Sequence, residues 1–210
     1  GNLYSKTLNL KNIIGANDDS ANEKTEFTIP DYLTMKINSN IETLVYNNVY
    51  PNKIQGDFIY KNNSVTSENL ELNIFDGRLF FDGKFYENDK NNFKLTSNIK
   101  LEKIDIKKAF SAFNNFGQDF IIDKHIKGKS SANLICNMYW DKYLNLNNES
   151  IDVNSKITIE KGELIDFKPL EKLSSYVKLK DLEHIKFSRL ENEIKKKDKI
   201  ISVPNMEINS

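Results

Sequence analysis

Apolar and polar residues alternate along most of the chain between residues 33 and 101. This period of two is typical of β-strands that carry one apolar and one polar face. In "KIQGDFIYK", Ile54, Phe58 and Tyr60 fall on one face of the predicted strand, and polar residues such as Asp57 fall on the other. The later strands of this region place further apolar residues on such a face: Leu70, Leu72, Ile74, Leu79, Phe81, Phe85, Phe93, Leu95 and Ile99.

Short joins rich in Asn, Asp and Gly separate these strands, namely "KNNS", "FDGR" and "ENDKNN". Joins of this kind predict hairpin turns, so consecutive strands are expected to be antiparallel neighbours. Gly56 and Gly83 lie in the middle of predicted strands, where glycine marks a bend, a bulge or a close approach. The sequence therefore predicts a strongly curved sheet.

A helical period interrupts the strands in two places. The first predicted helix has an apolar stripe at i, i+3, i+4 and i+7, formed by Ile106, Ala109, Phe110 and Phe113. Asp105 is its predicted N-cap, and Gly117 its C-terminal stop. The second predicted helix runs from Pro169 to Val177, with the proline in the first turn, where its missing N–H is tolerated.

Strand patterns return in "GKSSANLICNMYW" and "SIDVNSKITIEKGEL", and the chain closes with a predicted hairpin over Asp198 and Lys199. Pro204 indicates that the last strand is an edge or carries a bulge. The predicted fold is mainly β: a curved antiparallel sheet, shaped like a gutter, with two short inserted α-helices. Residues 1–32 are predicted to form an N-terminal strand and a polar loop or mobile linker, and residues 33–210 the β-groove domain.

Composition excludes several classes of function. The chain has 210 residues, with 30 basic and 30 acidic side chains, so its formal net charge is zero. Binding of phosphate backbones needs a basic excess, which argues against a nucleic acid as partner. The one basic run, residues 195–197, is expected to be solvated surface. No apolar run is long enough to span a bilayer.

No motif in the chain indicates catalysis or metal binding. The single cysteine, Cys136, excludes an internal disulfide and is expected to be a buried thiol. His125 and His184 have no His, Cys or Glu at ligand spacing, so no metal site is predicted. The nucleophile elbow, the P-loop and the dinucleotide fingerprint are all missing from the sequence. We therefore predict a protein that is not an enzyme and needs no cofactor.

The apolar face then has two interpretations. Pattern alone favours an ordinary closed core, because most alternating apolar faces are buried that way. The other interpretation is an open groove that holds acyl chains. Its candidate lining residues are Phe58, Tyr60, Leu70, Leu72, Ile74, Leu79, Phe81, Phe85, Phe93 and Leu95. A third, weaker hypothesis is a carbohydrate-active domain that uses a pair of surface carboxylates, of which Asp57 and Glu68 are examples.

The C-terminal stretch "GELIDFKPLEKLSSYVKLKDLEHIKFSRLENEIKKKDKIISVPNMEINS" resembles the C-terminal region of the AsmA family. The positions that carry the resemblance are Gly162, Leu164, Phe167, Pro169, Leu170, Leu173, Leu182, Phe187, Leu190, Ile200, Pro204, Met206, Ile208 and Ser210. Upstream, "LEKIDIKKAFSAF" and "IKGKSSANLICN" are similar to the helix entry and a strand of that family. The resemblance covers residues 53–210.

The resemblance implies a bacterial envelope protein, anchored in the inner membrane by a segment outside this sequence and extending into the periplasm. Members of the family are similar to bridge-like lipid transfer proteins, with gutter-shaped sheets implicated in phospholipid transport to the outer membrane. Phospholipid or another acyl lipid is the partner that follows, with other envelope proteins as further partners. Pairing of an unpaired sheet edge with a second copy is also expected. The alternative is an envelope module that supports outer-membrane assembly without carrying lipid.

Overall fold

The protein forms one open, curved β-sheet that does not close into a barrel. The computed structural model describes residues 1–9, 26–30, 32–89, 92–117, 119, 121–166, 183–203 and 206–209, and all structural statements below concern these residues. Within them, the mainly β architecture and the open curvature predicted from the sequence are confirmed.

Eleven strands make up the sheet, and they follow one another across it in chain order. Their bounds are β1 Asn2–Asn9, β2 Met35–Val45, β3 Asn52–Tyr60, β4 Ser64–Ile74, β5 Gly77–Asp89, β6 Asn92–Asp105, β7 Ile126–Trp140, β8 Asp152–Ile165, β9 His184–Lys197, β10 Ile200–Ser202 and β11 Met206–Asn209. Strands β10 and β11 both pair with β9, one beyond the other along the same edge. They therefore share the outermost position of the sheet.

Strands β2 to β9 are antiparallel neighbours, as the short joins predict. Strand β1 departs from this pattern because it runs parallel to β2, with Asn2 opposite Asn38 and Asn9 opposite Val45. A parallel neighbour needs a long connection, and residues 10–34 provide one. The N-terminal strand expected in residues 1–32 is thus an integral edge of the sheet.

The tight hairpin turns adopt left-handed backbone conformations at both central residues. Asn62 and Asn63 have φ of 51° and 53°, and Asp198 and Lys199 have φ of 50° and 68°. This is the requirement of a type I′ turn, whose twist matches that of the flanking strands. The hairpin predicted over Asp198 and Lys199 is therefore confirmed. Pro204 lies outside the described residues.

One α-helix is present in the described part of the chain. It spans Ile106–Ala112 and is called α1 here. The predicted N-cap is confirmed, because the Asp105 carboxylate accepts a hydrogen bond from the Lys108 amide at 3.1 Å. The helix is shorter than its stripe predicts, and a 3-10 turn, Asn114–Gly117, follows it. The second predicted helix, Pro169 to Val177, lies outside the described residues.

The hydrophobic core lies where α1 packs on the last strands of the sheet. Its buried members are Ile106 in α1, Ile126 in β7, Ile159 in β8, and Phe187 and Leu190 in β9. Within the described residues, no helix and no second sheet covers the apolar side chains of β2 to β6 in the same way.

Candidate functional site

The strand register places all ten predicted groove residues on one face of the sheet. Leu72 faces Leu79 across β4 and β5, and Phe85 faces Leu95 across β5 and β6. Nine of the ten are half-buried, and Phe93 is completely buried. We call this side of the sheet the apolar face. Phe93 therefore belongs to a packed cluster, whereas the other nine side chains keep part of their surface accessible.

A line of small residues crosses the apolar face perpendicular to the strands. Gly83 lies between Ser67 and Ser97 in the register. We call this line the small-residue row. It runs from β4 to β7 and consists of Ser67, Gly83, Ser97 and Cys136, which face one another in the register. Ser39 and Gly56 lie outside it, because Phe58 is the residue of β3 that faces Ser67.

Larger apolar side chains lie on both sides of the small-residue row. On one side are Val65, Phe85, Leu95 and Met138, and on the other are Leu70, Phe81, Ile99 and Leu134. The serines of the row and Cys136 are buried beneath these neighbours. The row therefore lies lower than the side chains beside it. We call the row with these flanking side chains the trough, and the row its floor.

The predicted roles of the mid-strand glycines are confirmed. The register between β3 and β4 shifts around Gly56, which is the irregularity expected of a bulge. At Gly83, a Cβ atom would lie 2.6 Å from Cζ of Phe81, so the ring of Phe81 leans over this glycine. Glycine thus lets the strands bend and lets a large side chain lie flat on the floor of the trough.

Two buried serines of the apolar face are hydrogen-bonded to a neighbouring strand. The Ser39 hydroxyl donates to the Gly56 carbonyl at 2.8 Å, and the Ser97 hydroxyl of the floor donates to the Cys136 carbonyl at 3.4 Å. Burial raises the pKa of the Cys136 thiol, which keeps it protonated and uncharged at neutral pH. Ser67 is the exception, because its buried hydroxyl has no hydrogen-bond partner among the described residues. The floor therefore consists of small, buried and uncharged side chains.

A short strap, residues 26–30, crosses the apolar face at one rim of the sheet. Its Phe27 amide donates to the Lys142 carbonyl at 2.8 Å, and the Tyr60 hydroxyl donates to the Pro30 carbonyl at the other end. The Phe27 ring lies 5.2 Å from that of Phe93, between centroids. The strap therefore buries Phe93. The strap is not predictable from the sequence, where its signal is limited to the alternation in "FTIP".

The opposite face of the sheet is polar. Its charges form exposed ion pairs, such as Lys36 with Asp57 at 2.9 Å and Lys100 with Glu102 at 2.7 Å. A shallow depression of about 760 Å³ on this face is lined by charged, amide and apolar residues from β5 to β9, including Phe80 and Ile135. Ile135 is 57% exposed. This face therefore combines paired charges with a few apolar side chains.

Titratable groups of the described residues form no catalytic arrangement. His184 Nε2 lies 3.1 Å from Glu163 Oε2, and this hydrogen bond lowers the pKa of Glu163. The pKa values of Asp57, Asp76 and Glu102 are also lowered, chiefly by lysine hydrogen bonds. A general acid of a glycosidase needs the opposite shift. No group of three or more metal-ligating side chains occurs in the described ranges.

Comparisons with known proteins found no matching family model, no matching curated protein and no matching solved structure. Among the helices that the structure describes, none has the length and apolar character needed to cross a membrane.

Proposed function

We propose that the apolar face binds the acyl chains of a phospholipid, and that the chain is part of a lipid-transfer protein of the bacterial envelope. The observation that carries this proposal is the small-residue row, which is in register across four strands and has larger, half-buried apolar side chains on both sides. An extended hydrocarbon chain needs apolar contact along its length and no polar partner, and these flanking side chains offer such contact.

The energetics of burial support the proposal. Each CH₂ group moved from water to an apolar surface contributes about 0.8 kcal/mol, so a long acyl chain gains enough to bind without any ionic contact. The headgroup remains in water at the open side of the trough. The trough also explains why half-buried Leu, Ile and Phe side chains line a face that the described helix covers only over its last strands.

The resemblance to the AsmA family supports the part of the proposal that concerns location in the cell and a role in lipid transport. It favours a periplasmic location, with an inner-membrane anchor outside this sequence and a part in phospholipid transport and outer-membrane homeostasis. Gly162 and Phe187, two positions of that resemblance, are cross-strand partners in the core. These two positions of the resemblance therefore have a packing role.

A structural module that carries no lipid is the second candidate function. It is favoured by the β10 edge of the sheet, which pairs with no further strand among the described residues. Ile200, Ile201 and Val203 are exposed large apolar residues there. An unpaired edge of this kind can add a strand from another envelope protein or from a second copy. This candidate predicts a protein partner at the edge and an empty trough.

Site-specific photo-crosslinking separates the two functions. A photoreactive amino acid is placed at Leu72 or at Phe81 on the apolar face, and at Ile135 on the opposite face as the matched control. The protein is expressed in a bacterium, irradiated, and examined by mass spectrometry for crosslinked phospholipid. We expect lipid adducts at residues 72 and 81 and none at residue 135. Equal labelling at all three positions, or none at any, would contradict the proposal.

A further inference from the structure

An exposed pair of aromatic rings projects from the rim of the sheet just after α1. Phe113 is 46% exposed and Phe116 is 59% exposed, and their ring centroids lie 5.5 Å apart. Phe113 also contacts Phe75 at 5.8 Å, and Phe116 contacts Phe110 at 5.1 Å. We call residues 113–117 the aromatic turn. Its inner contacts hold the two exposed rings in fixed positions.

The backbone of the aromatic turn is strained. Asn114, Asn115 and Phe116 have φ of 49°, 52° and 56°, in the left-handed region. Asparagine tolerates this conformation, but a bulky residue there is a clear outlier. The turn is fixed by the Asn115 side chain, which accepts a hydrogen bond from the Asp123 amide at 2.8 Å. The chain thus keeps an unfavourable conformation that exposes two apolar rings, which is typical of a surface used for contact.

The surroundings of the aromatic turn are basic. Residues 103–129 contain six lysines and three aspartates, although the whole chain is neutral. Lys107 and Lys124 are exposed and form no ion pair with any described residue. Lys107 lines a depression together with Phe75, the exposed Tyr50, and the carboxylates Asp76 and Asp105. These two carboxylates pair with Lys108 and Lys129, so Lys107 and Lys124 remain as unpaired lysines of the segment, which also contains the exposed Asp119.

We propose that the aromatic turn docks this rim of the sheet onto the surface of an anionic lipid bilayer. The rings of Phe113 and Phe116 enter the interfacial region, and Lys107 and Lys124 approach the headgroup phosphates. Aromatic rings partition into this region, and each nearby lysine adds attraction to anionic lipid. The inference goes beyond the proposed function, because it needs no lipid in the trough.

The size of the patch favours a bilayer over a protein as the occupant. A stable protein interface buries about 800 Å² on each partner, which is far more than two half-exposed rings can supply. Insertion into a bilayer needs no complementary surface, because the lipids rearrange around each ring. Charge complementarity also selects anionic over neutral lipid, since the free lysines have no counter-ion in the described structure.

Vesicle flotation tests the inference. The protein is mixed with vesicles of phosphatidylcholine alone, or of phosphatidylcholine with 30% phosphatidylglycerol. We expect binding only to the anionic vesicles, and weaker binding at high salt. The double variant Phe113→Ser/Phe116→Ser should lower the partition coefficient about tenfold or more. The double variant Lys107→Glu/Lys124→Glu should lower it about twentyfold or more.

Two control variants change the same residue types elsewhere. Tyr32→Ser removes an aromatic ring that is 88% exposed, and Lys61→Glu/Lys156→Glu reverses two exposed lysines far from the turn. Both should bind vesicles as the wild type does. The inference is overturned if the wild type does not bind anionic vesicles, or if the controls lose binding as the aromatic-turn variants do.

The experiment also separates this inference from the proposed function. Capture of a fluorescent fatty acid in solution should be unchanged in Phe113→Ser/Phe116→Ser, because these rings lie outside the trough. Loss of vesicle binding with intact fatty-acid capture supports docking through the turn. Failure of fatty-acid capture in the wild type contradicts only the trough.

Discussion

The ring of Phe187 in β9 lies over Gly162 in β8, its cross-strand partner, and occupies the space that a side chain at residue 162 would need. Both residues are buried where α1 packs on the sheet. A glycine covered by an aromatic ring keeps the strand paired without leaving a cavity. This pair therefore fixes the position of β9, the strand that carries β10 and β11.

The first prediction concerns this pair. Gly162→Ala should lower the free energy of unfolding by about 1–3 kcal/mol, because the added methyl group forces the Phe187 ring out of its packed position. Urea denaturation measures the effect, with the exposed Lys156→Ala as control. An unchanged midpoint for Gly162→Ala would show that the ring moves aside at little cost.

The second prediction concerns the floor of the trough. Ser97→Trp should fill the small-residue row and lower the affinity for a fluorescent fatty acid about tenfold, because the acyl chain loses several CH₂ contacts. Asn98→Trp places the same ring on the opposite face and should leave the affinity unchanged. Circular dichroism checks that both variants fold. Equal affinity in the two variants would argue against a ligand on the floor.

The third prediction concerns the strap. Phe27→Ala removes the ring contacts with Phe85 and Phe93, and should destabilise the protein by about 1–2 kcal/mol. Hydrogen exchange should rise most at the amide of Phe27, which is bonded to Lys142. Tyr32→Ala, at an exposed ring beside the strap, is the matched control and should change neither quantity.

The fourth prediction concerns acid pH. Asp76 is hydrogen-bonded to Lys108, which lowers the pKa of the carboxyl group in the folded protein. A depressed pKa in the folded state stabilises the protein above the unfolded pKa of about 4, and this contribution is lost as the pH falls through the folded value. The loss of stability between pH 5 and pH 3, measured by urea denaturation, should therefore be smaller in Asp76→Asn than in the wild type. The effect is small because the pair is exposed.

The fifth prediction concerns the free edge. If Ile201 in β10 contributes to pairing between two copies, Ile201→Lys should shift the association constant about tenfold toward monomer, since lysine on an edge strand opposes pairing. Sedimentation velocity over a range of concentrations measures this. The same change at Ile135, on the opposite face, serves as control. A wild type that stays monomeric at every concentration would rule out self-association through this edge.

Much of the fold could be predicted from the sequence because the strands are local units. Each hairpin brings together neighbours in the chain, and residues such as Asn62 and Asn63 fix the turn chemistry. The parallel pairing of β1 could not be predicted, because nothing local specifies a partner across residues 10–34. The contact between Phe27 and Phe93 could not be predicted for a similar reason, because it depends on where the strap crosses the folded sheet.

The candidate site was predicted only in part. Alternation identified the large side chains of the apolar face, because period two assigns each residue to a side. It did not identify the small-residue row, since Ser67 and Ser97 are polar by type and their alignment depends on register across strands. The aromatic turn was missed as well, because Phe113 was assigned to a helical stripe, whereas it caps the helix and points outward.

The open ends of the sheet make its length adjustable without any change of fold. Neighbouring strands are about 4.8 Å apart, so each additional hairpin would lengthen the trough by about 10 Å. The side chains already in place would keep their neighbours, since each strand contacts mainly the strands beside it. In such an architecture, the length of the trough increases with the number of hairpins. Duplication of hairpins alone can therefore change the distance over which the trough extends.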